Sequence, residues 1–180
     1  QLGQPMTTYR PPAVSPTAAT QLTQAHRALR LGRPEAVWAT LHQLWSHQAS
    51  PGLYTWDAPR PTQDEVADGW QYARGWHNET AVSPDYETAA LLLLLQQDML
   101  AYLDEAAAEP TVVLGAGITP AWLPQPMAVS NLALPGGSIT WQWDGQKMRV
   151  TLRGPVRKIQ LGSAFPPGTE LAVVQKPLRP

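Results

Sequence analysis

The segment 89–95 constrains the fold of this chain more than any other stretch. It reads AALLLLL and follows Ser83-Pro84-Asp85, which supplies a serine N-cap, a proline suited to the first helical position and an acid near the helix N-terminus. The pattern predicts a helix that runs to about Ala108 and stops before Pro110. A helix that is apolar on every face is buried on every face. We therefore expect other helices to surround it.

The same segment is too short to cross a membrane. A spanning helix needs about 20 predominantly apolar residues, and here Gln96, Gln97 and Asp98 follow the leucines directly. We therefore expect a buried helix and no membrane association. Because two preceding helices cannot cover it alone, we expect the chain to belong to a larger helical assembly. Its start at Gln1, without an initiator Met or signal-peptide pattern, indicates a piece of a longer protein or a processed one.

Two shorter helices are predicted before this one. The first covers about 17–31 and is stopped by Gly32, and the second runs from Pro34 to about Gln48. The short Gly-Arg-Pro link joins them as an antiparallel hairpin. Their apolar residues recur at helical spacing and predict core faces: Leu22, Ala25 and Leu29 in the first helix, and Val37, Trp38, Leu41, Leu44 and Trp45 in the second.

From Thr111 onward the pattern is typical of β structure. TVVLGAGI predicts a strand that ends in glycines, and a helical turn follows over 119–123. SITWQW and KMRVTL flank Asp144-Gly145, a strong type I′ hairpin signal. VRKIQL and ELAVV predict further strands. The inward face of the hairpin is expected to contain Ile139, Trp141, Trp143, Met148, Val150 and Leu152.

Helices followed by strands indicate an α+β chain or two separate domains. We expect antiparallel helical hairpins followed by a small antiparallel β-sandwich-like domain. The predicted divisions are an extended arm over 1–16, a helical part over 17–109, a linker strand and turn over 110–126, and the β domain over 127–180.

Composition narrows the function classes. The chain has 180 residues, a formal net charge of -1 and no cysteine, so nothing favours nucleic acid as a partner, and thiolate chemistry is excluded. The histidines lack metal-ligand spacing with an acid partner, so no metal site is predicted. Gly115-Ala116-Gly117 lacks the rest of a nucleotide-binding motif, and no cofactor is expected. The composition fits a soluble chain in the bacterial cytoplasm and a secreted chain equally well.

Residues 49–82 form a long stretch without regular periodicity. Loops of this length in compact domains are usually functional or disordered, and this one is too aromatic for disorder. Rings beside carboxylates are typical of a sugar cleft, and equally of a loop whose rings fill a core and whose acids face water. The candidate contacts with a substrate are Tyr54, Trp56, Trp70, Trp76 and His77, and the candidate carboxylates are Asp57 and Glu65.

Three stretches carry a family resemblance: PGLYTW at 51–56, ARGWHNETAVSPDYETAALLLLLQQDMLAYLDE at 73–105, and PTVVLGAGITPAWL at 110–123, with the hairpin SITWQWDGQKMRVTL after them. Together they resemble the C-terminal part of bacterial six-hairpin glycoside hydrolases, whose (α/α)6 toroid is followed by a small antiparallel β domain. The resemblance implies that 89–103 belongs to an inner ring of helices. It also implies carbohydrate and the remainder of a parent polypeptide as partners.

In that family one catalytic carboxylate commonly lies in a loop near the end of the toroid, in a context such as Trp-Pro-Glu or Trp-x-Glu. Here the comparable place reads Thr55-Trp56-Asp57-Ala58, so the expected Glu is absent and Asp57 is the nearest acid. Because glycoside hydrolysis needs two carboxylates, the partner is expected in hairpins outside this chain. The isolated chain is then inactive.

Two alternatives remain at this stage. The chain is a non-catalytic carbohydrate-binding module, which the missing Glu favours, or a structural module without a ligand. In the structural alternative the leucine-rich helix mediates self-association of identical copies.

Overall fold

A computed structural model describes residues 17–46, 56, 58–59, 81–82, 85–155 and 157–177. The described part is α+β, as predicted. Its helices are α1 (Ala18–Arg30), α2 (Pro34–Ser46) and α3 (Tyr86–Leu100). Its strands are β1 (Ala58–Pro59), β2 (Ala81–Val82), β3 (Ala101–Asp104), β4 (Thr111–Leu114), β5 (Met127–Leu134), β6 (Gly137–Trp143), β7 (Lys147–Arg153), β8 (Lys158–Leu161) and β9 (Glu170–Lys176). The arm expected over 1–16 lies outside the described residues.

The strands form one short antiparallel pair and two mixed sheets. β1 pairs with β2, one sheet has the order β3-β4-β8, and the other has the order β5-β6-β7-β9. The expected antiparallel β domain is therefore wrong in this respect, because β4–β8 and β7–β9 are parallel pairs. After β7 the chain crosses to the smaller sheet as β8 and returns as β9. Such crossovers, unlike hairpins, leave the paired strands parallel.

Strand β4 lies between two cores. All four of its residues are buried, because its two faces meet different partners. Val112 and Leu114 belong to the core shared with the larger sheet, here called the β core. Val113 belongs to the core shared with the helices, here called the helical core. The helices, the smaller sheet and the larger sheet therefore form three layers.

The predicted inward face of the β6–β7 hairpin is confirmed: Ile139, Trp141, Trp143, Met148, Val150 and Leu152 are all buried in the β core. The turn type is different from the prediction. A type I′ turn needs positive φ at both central residues, whereas Gly145 has a φ of 100° and Asp144 has no positive φ. Instead, the Asp144 carboxylate accepts hydrogen bonds from the backbone N–H groups of Gln146 and Lys147.

Helix α3 is shorter than predicted at both ends. Its N-cap is Asp85 rather than Ser83, and the Asp85 carboxylate accepts hydrogen bonds from the backbone N–H groups of Glu87 and Thr88. It ends at Leu100 rather than near Ala108, because Ala101–Asp104 pairs with β4 in an antiparallel ladder. Tertiary pairing outweighs the helical propensity of this segment.

The expectation that α3 is buried on every face is not met within the described chain. Leu95 and Met99 are buried in the helical core, whereas Leu93 is 67% and Leu94 53% exposed. The core prediction for α2 holds for Val37, Leu41 and Leu44. It is wrong for Trp45, which is 42% exposed, and Trp38 is only half-buried.

Candidate functional site

Trp56 is the one member of the predicted site that the structure describes. It is half-buried and packs against the helical core. Its carbonyl oxygen accepts a 2.7 Å hydrogen bond from the backbone N–H of Asp85, which fixes it at the start of α3. The other predicted members lie outside the described residues: Tyr54, Asp57, Glu65, Trp70, Trp76 and His77.

A cleft with three tryptophans opens between α2, the C-terminal half of α3 and the turn that follows β4. Its volume is about 210 Å3. We call it the tryptophan cleft. Its lining consists of Trp38, Leu41, Trp45, Gln96, Met99, Leu100, Gly117, Ile118 and Trp122.

The indole rings meet at angles that favour aromatic contacts. The centroids of Trp38 and Trp122 lie 5.3 Å apart with planes at 47°, and those of Trp38 and Trp45 lie 6.4 Å apart at 60°. His42 packs edge-on against Trp45 at 5.8 Å. Tilted and edge-to-face pairs at these distances are attractive. The rings therefore hold one another in place, while Trp45 and Trp122 stay 42% and 43% exposed.

Backbone contacts bring the three walls of the cleft together. The indole N–H of Trp38 donates to the carbonyl oxygen of Gly117 at 2.8 Å, and the N–H of Gly117 donates to the carbonyl oxygen of Met99 at 2.9 Å. A Cβ at position 117 would lie 2.6 Å from the Met99 Cγ and closer still to its Cβ. Glycine is thus required for this approach.

Among the described residues, the lining of the cleft contains no Asp, Glu, Lys, Arg or His side chain. Two carboxylates are what acid–base hydrolysis of a glycoside needs, and the described lining supplies neither of them. In the part of the chain that the structure describes, no partner occurs for the indole N–H groups of Trp45 and Trp122 or for the amide of Gln96. The cleft therefore offers flat apolar rings and uncommitted donors, which suit binding rather than cleavage.

Ionisable groups with shifted pKa values lie outside the cleft. Burial raises the pKa of Tyr102, and hydrogen bonds from the backbone N–H groups of Lys147 and Gln146 lower the pKa of Asp144. The described ranges contain no group of three or more His, Asp or Glu side chains placed to hold a metal ion. None of the helices described is both long and apolar enough to cross a bilayer.

Sequence reasoning missed this cleft. It assigned Trp38 and Trp45 to the core because they lie on the apolar stripe of α2, and it did not single out Trp122. The available signal was a pair of tryptophans seven residues apart on one helix face. The approach of Trp122 depends on the turn after β4, which no local pattern encodes.

Comparisons with models of known protein families, with curated proteins and with solved structures found no match.

Proposed function

We propose that this chain is the carbohydrate-binding C-terminal portion of a larger carbohydrate-active protein. The observation that carries the proposal is the tryptophan cleft, where three indoles converge on a site whose described lining has no charged side chain. An exposed indole face packs against the C–H groups of a sugar ring, and the polar N–H edge remains available to its hydroxyls. Trp45 and Trp122 are the proposed contacts.

The proposed parent is similar to the six-hairpin glycoside hydrolases. Two features support this proposal. α1 and α2 form a helical hairpin that packs against α3, and α3 leaves Leu93 and Leu94 exposed, as a helix does when its remaining neighbours belong to another part of a toroid. In this proposal Trp56 contacts sugar in the catalytic site of the parent, apart from the tryptophan cleft. Asp57 is the candidate catalytic acid there, and the second carboxylate is supplied by the parent.

Sugar binding is tested by titrating the chain with a panel of neutral oligosaccharides while recording tryptophan fluorescence and calorimetric heat. Loss of one aromatic contact removes about 0.5–1.5 kcal/mol, so Trp122→Ala and Trp45→Ala should each weaken binding roughly 2- to 13-fold. Tyr86→Ala is the matched control, since Tyr86 is an aromatic residue outside the cleft that is 78% exposed. Absence of binding, or equal weakening in the control, would refute the proposal.

Catalysis is tested in the parent protein, with aryl glycosides and oligosaccharides as substrates. Asp57→Asn should abolish most of the hydrolysis while leaving sugar binding at the tryptophan cleft unchanged. Full activity of this variant would remove Asp57 from the catalytic site without affecting the proposed binding role of the chain.

The second candidate function is self-association through the leucine-rich helix. The exposure of Leu93 and Leu94, which are consecutive residues of α3, favours it, because burying apolar surface away from water is favourable. Sedimentation should then show a concentration-dependent dimer that Leu94→Gln weakens. Leu31→Gln, at a comparably exposed leucine that follows α1, serves as the control. A monomer at all concentrations would eliminate this function.

A further inference from the structure

A second cavity, distinct from the tryptophan cleft, lies between the C-terminal end of α1 and the smaller sheet. Its volume is about 260 Å3. In the part of the chain that the structure describes, its lining contains no carboxylate, and its polar side chains are Arg30, Tyr102, Gln160 and Ser163. We call it the Arg30 pocket.

The guanidinium of Arg30 is held in a fixed orientation. Its Nη2 lies 3.0 Å from the Oδ2 of Asp98, and its Cζ lies 3.7 Å above the centroid of the Tyr102 ring. Its Nη1 donates a further hydrogen bond to the carbonyl oxygen of Leu103 at 3.4 Å. A guanidinium carries five N–H donors, so donors remain after these contacts. Asp98 lines the neighbouring cavity rather than this one.

Tyr102 is a second potential donor in the Arg30 pocket. Its residue exposure is 6%, and the described residues supply no hydrogen-bond partner for its hydroxyl. A buried polar group without a partner is unusual and costs free energy. A tyrosine phenol has an ordinary pKa of 10.0, so it is protonated and able to donate at neutral pH, and burial raises the pKa of Tyr102 further.

The rim of the pocket is also held in place. The hydroxyl of Ser163 donates to the carbonyl oxygen of Gly32 at 2.8 Å, which ties the end of α1 to the segment after β8. The Gln160 side chain is exposed and has no hydrogen-bond partner within the described ranges. A cation, a neutral phenol and an amide therefore line one cavity, and Asp98, the acid that already pairs with Arg30, lies on the side of the neighbouring cavity.

We propose that the Arg30 pocket binds the carboxylate group of a small ligand. The planar guanidinium matches the geometry of a carboxylate, and charge-assisted hydrogen bonds of this kind are stronger than neutral ones. The Tyr102 hydroxyl supplies a second donor, and it gains a hydrogen-bond partner when it donates to a carboxylate oxygen. The carboxylate belongs to an acidic sugar or to a simple organic acid.

The test is an NMR and calorimetric titration of the full chain with three probes: glucuronate, acetate and neutral glucose. Both carboxylates should shift resonances of residues around the pocket, and glucose should not. Binding of glucuronate well above that of acetate identifies an acidic sugar, and similar binding identifies the carboxylate alone as the recognised group. The proposal fails if neither carboxylate binds, or if glucose produces the same shifts.

Variants separate a specific site from general attraction to a basic surface. Arg30→Gln should weaken carboxylate binding at least about 10-fold, while Arg27→Gln, at an exposed arginine one turn earlier on α1, should leave it unchanged. Equal weakening in both variants overturns the proposal. If Arg30→Gln disturbs folding, Tyr102→Phe provides a second test, because it keeps the ring under Arg30 and removes only the hydroxyl. Unchanged carboxylate binding in Tyr102→Phe also counts against the proposal. Trp122→Ala should have no effect on carboxylate binding, which makes this test independent of the sugar site.

Discussion

The indole N–H of Trp38 donates a 2.8 Å hydrogen bond to the carbonyl oxygen of Gly117, and this bond ties α2 to the turn after β4. Gly117 also donates from its own N–H to the carbonyl oxygen of Met99, close to the end of α3. One glycine thus connects both helices that line the tryptophan cleft. The shape of the cleft depends on this residue as much as on the aromatic rings.

Trp38→Phe keeps an aromatic ring on α2 but removes the donor to Gly117. Loss of one partner from such a bond leaves a partly buried carbonyl unsatisfied, and we expect the free energy of unfolding to fall by about 1 kcal/mol. Chemical denaturation measures it. Trp122→Phe is the control, because the N–H of Trp122 has no partner in the described part of the chain. Equal losses in both variants would show that the hydrogen bond contributes nothing measurable.

Gly117→Ala introduces a Cβ where Met99 already packs. The added atom would lie 2.6 Å from the Met99 Cγ, and such overpacking typically costs about 1–3 kcal/mol. We expect lower stability in denaturant and a weaker sugar affinity, since the cleft wall must shift. Gly145→Ala separates the two kinds of cost: an added Cβ there meets no atom within 4 Å, so the strain of its positive φ is the only cost. A fully stable Gly117→Ala protein with normal affinity would contradict this account.

The elements with strong local signals were predictable from the sequence. In α1 and α2 the apolar residues recur at helical spacing, and in β6 and β7 they alternate as in a strand. This spacing identifies the type of each element, and most of these apolar residues are buried. Buried strands such as β4 are recognisable as short apolar runs. That β4 separates two cores was not predictable, because it depends on strands that pair with it from far away in sequence.

The errors share a physical cause, namely tertiary pairing that local patterns do not encode. Residues 101–104 have a helical pattern but pair with β4. Strand β8 pairs in parallel with β4, and β9 pairs in parallel with β7, because the chain alternates between the two sheets. Much of the predicted sugar loop lies outside the described residues. The cleft that the structure describes instead combines residues from three separate segments, which sequence spacing alone could not bring together.

Trp141→Ala should destabilise the β core strongly. Trp141 is 1% exposed, and its indole N–H donates to the carbonyl oxygen of Leu100 at 3.2 Å, where α3 gives way to β3. Truncating a buried tryptophan costs about 3–5 kcal/mol, which thermal and chemical denaturation will detect. Gln142→Ala, at the exposed neighbour on the opposite face of β6, should change stability by less than about 0.5 kcal/mol. A small effect at Trp141 would mean that the two sheets do not share this core.

The Asp144 turn should make stability depend on pH in the acid range. Hydrogen bonds from the backbone N–H of Lys147, and then of Gln146, lower the pKa of Asp144 below its usual 3.8 in the folded chain. The unfolded state therefore binds the proton more readily, so the contribution of this carboxylate is present above pH 3.8 and is lost as pH falls through the folded pKa.

Removing the carboxylate tests this linkage. Asp144→Ala should be less stable than the natural chain near neutral pH, and the difference should shrink as pH falls towards about pH 2, because the natural chain then loses its ionised acceptor. Denaturation midpoints across that range provide the measurement. Asp144→Asn keeps an acceptor oxygen that does not titrate, so its stability relative to Asp144→Ala should stay constant with pH. A stability difference between the natural chain and Asp144→Ala that is the same at every pH would rule out ionised Asp144 as the group that holds this turn.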